Sequence, residues 1–180
     1  QLASGASAQP FKTVDDYNNW LERLEGYLEW MASAENKMRA GMELGYVLPK
    51  SLIKKVIPQL EALTVEDLEQ HLFYSPILNF PDGFSDVDRE SLKAAYASMI
   101  KDNIIPAYNS LHDFMRTDYL KAGRTSSGIA DIPNGEAYYK HQIKAYTTTN
   151  MTAEEIHQLG LSEVARISAE MEKVKEEVGY

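Results

Sequence analysis

Residues 13–44, TVDDYNNWLERLEGYLEWMASAENKMRAGMEL, decide the fold. Tyr17, Trp20, Leu21, Leu24, Leu28, Met31 and Met38 recur at the period of an α-helix and fall on one face of it. Thr13 stands three positions before Asp16. At a helix start such a hydroxyl accepts a backbone N–H, and the carboxylate reaches back while favouring the positive end of the dipole. The spacing predicts a helix from about Val14 to about Leu44, with Gly45 as its stop.

The same start signature recurs as Thr64 with Asp67, Ser85 with Asp88, and Thr152 with Glu155. Each leads into apolar residues at helical spacing. Pro49 suits the first turn of a short helix carrying Leu52, Ile53, Val56 and Ile57, which Pro58 should kink or end. Another short helix is expected after Thr64, and Ser75 to Gly83 reads as a loop. A second long helical region runs from Asp86 to about Lys121, with Leu92, Tyr96, Met99, Ile104, Tyr108, Leu111, Met115 and Tyr119 on one face. Pro106 should kink it or split it near Asn103. After a loop over 123–134, one helix carries Tyr138 to Tyr146, and a last helix runs from about Ala153 to Val178. Strand signals are nearly absent, with 128–133 the one segment that could pair. The expected class is all-α, a bundle of long antiparallel helices with kinks near Pro58 and Pro106. Residues 1–12 read as a linker or cut end, and 13–180 as a single helical lobe of a larger protein.

Composition narrows the function. The chain has 180 residues, 44% of them hydrophobic, enough to build a core. A net charge of −9 repels phosphate backbones and anionic lipid, so nucleic acid is not an expected partner. The absence of cysteine excludes disulfides, thiolate catalysis and cysteine-based zinc sites. No apolar run approaches the ~18 residues of a membrane span. The opening QLASGASAQP lacks the charged start and apolar middle of a signal peptide.

Chemistry, if any, belongs to 124–166, where glycines, paired tyrosines, a threonine run and a histidine beside acids interrupt the scaffold. His71, His112, His141 and His157 are widely spaced, so a His-Glu-x-x-His zinc helix is missing. Glu154 and His157 have the spacing of a di-metal bundle half-site, but no second pair completes it. The plainer reading places Glu154 at a helix start and leaves His157 to local contacts. Ser126, Ser127 and Ser162 lack a nucleophile elbow or a fixed base. Asp113, Glu136 and Glu163 read as solvated helix faces. Tyr138 and Tyr139 point about 100° apart on a helix, so one can pack while the other offers its phenol to a carbonyl or oxyanion. Open N–H groups at Asn134-Gly135, or the Arg124 guanidinium, could hold a carboxylate. Arg124, Tyr138, Tyr139 and His157 are thus the substrate-facing candidates. No catalytic residue and no metal ligand is assigned.

MRAGMELGYVLPK (38–50), IIPAYNSLHDFMRTDYLKAGR (104–124), GIADIPNGEAYYKHQIKAYTTTNMTAEEIHQLGLSEVARI (128–167) and the closing Gly179-Tyr180 resemble the bacterial family called domain of unknown function 885. The likeness extends from about Phe11 to the end. It implies a zinc-dependent hydrolase of the mainly helical metallopeptidase type, often exported or lipid-anchored, and hence periplasmic or extracellular. There a zinc-bound water would attack a peptide or amide carbonyl, with a glutamate as base. The family's zinc helix carries a His-Glu pair followed closely by Gly-His-His, and this sequence has no counterpart. The resemblance therefore implies a non-catalytic internal lobe that supplies cleft wall and substrate contacts. No cofactor is expected in this chain, zinc is expected in the full-length parent, and the partners are the remaining lobes and a peptide-like substrate. The alternative is an independent helical binding or interaction module.

Overall fold

The computed structural model describes residues 9–179, so most of the linker or cut end expected over 1–12, and Tyr180, lie outside the described residues. Packing divides the chain into two compact units, Gln1–Ser127 and Gly128–Tyr180. The fold is all-α. Among the described residues the only β-type pairing is an isolated parallel bridge between Pro49 and Arg124.

In the first unit, α1 spans Val14–Glu43. Its start is the reciprocal cap that the sequence predicts: Asp16 N donates to Thr13 Oγ1 at 3.2 Å, and Thr13 N donates to Asp16 Oδ2 at 2.9 Å. The helix buries Tyr17, Trp20, Leu24 and Met31 on its inner face. It stops before Gly45, whose φ of 80° suits a residue without Cβ. α2, Lys50–Glu61, begins after Pro49 and buries Ile53. Pro58 lies inside α2, which continues for three more residues.

The short helix expected after Thr64 does not form at that cap. Thr64 Oγ1 instead donates backwards to Glu61 O at 2.8 Å, and so is not available to the N–H groups ahead of it. Asp67 takes the capping role, accepting from Glu69 N at 3.0 Å, and opens a 3-10 turn over Leu68–Gln70. A second 3-10 turn, Leu72–Tyr74, leads into a single helical turn, α3 (Ser75–Leu78), within the segment read as a loop. Pro76 fits that first turn because no intrahelical N–H is needed there.

α4 (Asp86–Ser98), α5 (Ile105–Phe114) and α6 (Leu120–Ala122) follow one another through two π-helical stretches, Met99–Ile104 and Met115–Tyr119. The first stretch ends just before Pro106, in the first turn of α5. A widened turn there suits a residue that cannot donate a backbone bond. Buried side chains from α1, α4 and α5 meet Phe73 and Ile77 in one core, and a smaller cluster joins Ile53 to Phe114, Met115 and Tyr119. The core phenols are satisfied. Tyr96 OH donates to Tyr17 O at 3.0 Å, Tyr17 OH donates to Pro76 O at 3.2 Å, and the Tyr27 and Tyr108 hydroxyls lie 2.8 Å apart.

The second unit contains a 3-10 turn at Ile129–Asp131, then α7 (Gly135–Thr147) and α8 (Ala153–Glu177). The segment considered for pairing thus forms a turn. Gly135 is the single buried residue among those described in this unit. A Cβ there would press against Ile129 O and stand 2.7 Å from Ala130 O, so glycine is required by close backbone approach. Asn134 enters α7 in the left-handed region, φ 57°, and α8 starts at a reciprocal Thr152–Glu155 cap.

Candidate functional site

Arg124 sits in the first unit, where α6 ends and the chain returns beside the segment before α2. Its N donates to Leu48 O at 3.1 Å and its carbonyl accepts from Lys50 N at 2.8 Å. The guanidinium is spent on oxygens of the same neighbourhood. Nε donates to Val47 O at 3.2 Å, Nη1 to Ser126 O at 2.8 Å and Ser126 Oγ at 3.3 Å, and Nη2 to Ser127 O at 3.4 Å. Arg124 is therefore a clamp between two loops. Gly123 beside it is buried, with room for a Cβ blocked by Lys50 Cγ at 3.1 Å and Leu48 O at 3.3 Å.

Tyr138, Tyr139 and His157 lie in the second unit and are exposed. Tyr138 is 49% exposed and Tyr139 46%, so neither ring packs inward, against the expectation for one of the two. Tyr138 OH accepts from Gln142 Nε2 at 2.7 Å. Tyr139 belongs to a stripe of Tyr139, Gln142, Ile143 and Tyr146 that lines a groove closed by Ala153 and Ile156 of α8. His157, on the first turns of α8, makes no side-chain hydrogen bond or ion pair among the described residues.

A second stripe on α7, offset from the first, is made of Ala137, Lys140, His141 and Lys144. It lines a cleft completed by Thr149, Asn150 and Met151 of the α7–α8 loop. The loop turns there because Thr148 adopts φ 58°, a left-handed conformation uncommon for a β-branched residue. The turn is held by Thr149 N donating to Thr147 Oγ1 at 3.2 Å and Met151 N donating to Thr149 Oγ1 at 3.3 Å. Sequence reasoning passes over this cleft. Its signal is the spacing of 137, 140, 141 and 144, which is as helical as that of the apolar residues.

Among the described residues, no group of three or more His, Asp or Glu side chains stands close enough to hold a metal ion. Glu154 is engaged with Gln158, whose Nε2 donates to it at 2.7 Å, and Glu155 caps its own helix. No helix of the described residues is long and apolar enough to cross a membrane.

A family model described as "Bacterial protein of unknown function (DUF885)" matches residues 1–180. The chain belongs to the DUF885 family. The DUF885 chain is also similar to a solved structure described as "the putative lipoprotein from Colwellia psychrerythraea", with a TM-score of 0.83 and 28% sequence identity. The match covers 96% of the DUF885 chain and 30% of that lipoprotein's chain. No curated protein matches it.

Proposed function

We propose that this chain is a non-catalytic helical lobe of a bacterial zinc-dependent peptidase-like hydrolase, providing part of the cleft wall and substrate contacts. One observation supports the lobe part of the reading, and the hydrolase part rests on the family resemblance. α8 and the Val178 that follows it carry an apolar ridge at alternating steps of three and four, and the ridge is bare: Val164 is 64% exposed, Ile167 46%, Met171 66%, Val174 57% and Val178 70%. A ridge of that length on an independent module would face water along its whole extent. On a lobe of a longer chain it faces neighbouring helices. The solved lipoprotein, of which this chain spans 30%, has the length to provide them.

Zinc, in this reading, is held by residues outside these 180. Within the lobe, this reading assigns substrate contact to the exposed Tyr138, Tyr139 and His157, and gives Arg124 the role of fixing the loops beside α2. The description of the solved relative as a lipoprotein supports a periplasmic or extracellular location.

The test compares this chain with a longer chain of the relative's span. Metal analysis and hydrolysis of a peptide library are measured on both. Zinc and hydrolysis are expected in the longer chain only. Stoichiometric zinc in the 180-residue chain, or a longer chain that binds zinc and cleaves no peptide, would overturn the proposal.

A further inference from the structure

The cleft between α7 and the α7–α8 loop is unlike the surface around it. The chain has a net charge of −9, yet no acid lines this cleft, and Lys140, His141 and Lys144 all do. Among the described residues Lys93 pairs with Glu90 at 2.8 Å and Lys175 with Glu172 at 3.2 Å, and the other lysines form no ion pair. Lys140 and Lys144 have no such partner among the described residues, and the His141 ring and Asn150 carboxamide make no hydrogen bond there. Glu136, the acid of α7, lies outside the lining set.

Two ammonium groups one helical turn apart and a neighbouring imidazole border the same cleft, where each can donate to an oxyanion. A concave wall of one charge sign concentrates that field. The other side of the cleft is of a different kind. Asn150 offers a carboxamide that can donate to and accept from a peptide unit, while Ala137 and Met151 offer apolar contact. A bare inorganic anion would use only the first side. A carboxylate attached to a peptide uses both.

We propose that this cleft binds the terminal carboxylate of a peptide-like ligand, with Lys140 and Lys144 as its counter-charges, His141 as a further donor and Asn150 on the adjoining peptide unit. The peptide part of this inference rests on the functional reading above. The charge part rests on the cleft alone. Recognition of the free chain end would set the direction in which a peptide lies along the lobe.

The experiment uses the 180-residue chain, isotope-labelled, and follows amide shifts as three probes are added: an N-acetyl dipeptide with a free carboxylate, the same dipeptide as its amide, and inorganic phosphate. The acid should shift resonances around Lys140 to Met151 with a dissociation constant on the order of 1 mM. The double substitution Lys140→Ala and Lys144→Ala should weaken it at least about tenfold. Lys173→Ala, which removes one charge from α8, should leave it unchanged, and circular dichroism should show all variants equally helical. Equal shifts from acid and amide would overturn the proposal, as would phosphate binding that the acid does not displace, or no shift in the cleft. The two readings fail separately. A silent cleft in a chain whose longer form binds zinc and cleaves peptides removes only this inference. Carboxylate binding here beside a longer form without zinc removes only the proposed function.

Discussion

His71 is the buried histidine of the core region, 2% exposed. Both ring nitrogens are engaged. Nε2 lies 3.2 Å from Leu63 O, and Nδ1 accepts from Phe73 N at 3.3 Å. The proton therefore belongs on Nε2, and the ring is neutral. Burial pushes its pKa below the ordinary 6.5, and the Leu63 carbonyl opposes that shift without cancelling it. The unfolded chain thus takes up a proton more readily than the folded one. The stabilisation is whole above the unfolded value and is lost as pH falls from there through the lowered folded value. A proton arriving at Nδ1 would also face the Phe73 N–H and break the turn at Leu72–Tyr74. Urea midpoints taken between pH 7.5 and pH 5 should therefore fall with acid, beyond what the carboxylates cause. His71→Asn keeps an acceptor for the amide two residues on but cannot titrate. It should be less stable at neutral pH and show a shallower fall in this window. An unchanged slope in the variant would mean that His71 does not set it.

At the scale of elements, the two reciprocal caps differ in what supports the helix behind them. α1 buries four large side chains beyond Thr13, whereas α8 buries none beyond Thr152. Removing either hydroxyl costs about 1 kcal/mol of local helix stability. In α1 the core should absorb that loss as a small drop in the global melting midpoint. In α8 it should appear as fraying. Thr152→Ala should raise amide exchange over 153–157 several-fold and leave the melting of the first unit unchanged; equal exchange in both proteins would remove the argument. These caps are also where the sequence is most legible. A hydroxyl, an acid three residues on and a helical apolar stripe are local signals, and three of the four candidate starts are used. Thr64 fails because its hydroxyl has a nearer acceptor in Glu61 O, a competition that spacing does not reveal. The role of Arg124 is equally hidden, since four of its acceptors are carbonyl or hydroxyl oxygens whose positions depend on where residues 47 and 126–127 come together. The polar cleft is half legible. The α7 stripe can be counted from the sequence, but the concavity needs a threonine at positive φ, which no residue-type rule anticipates at position 148.

At the scale of the whole molecule, the bare ridge of α8 sets the behaviour of the chain. Val164, Ile167, Met171, Val174 and Val178 follow the three-four spacing that packs one helix against another. Water along this ridge disfavours the isolated chain, and a neighbouring helix would relieve that. Met171→Lys with Val174→Glu interrupts the ridge at its centre and leaves the net charge unchanged. In the chain alone the pair should reduce dye binding to exposed apolar surface and any concentration-dependent association, with helicity retained, because neither side chain is buried there. In a longer chain of the solved relative's span the same pair should destabilise by a few kcal/mol, roughly the effect of taking two charged side chains out of water into an apolar packed interface. The opposite signs are the point of the test. A substitution that helps the 180-residue chain and harms the longer one identifies the ridge as an internal interface. One that is neutral in the longer chain shows that the ridge faces solvent in both, and the lobe reading then loses its main support.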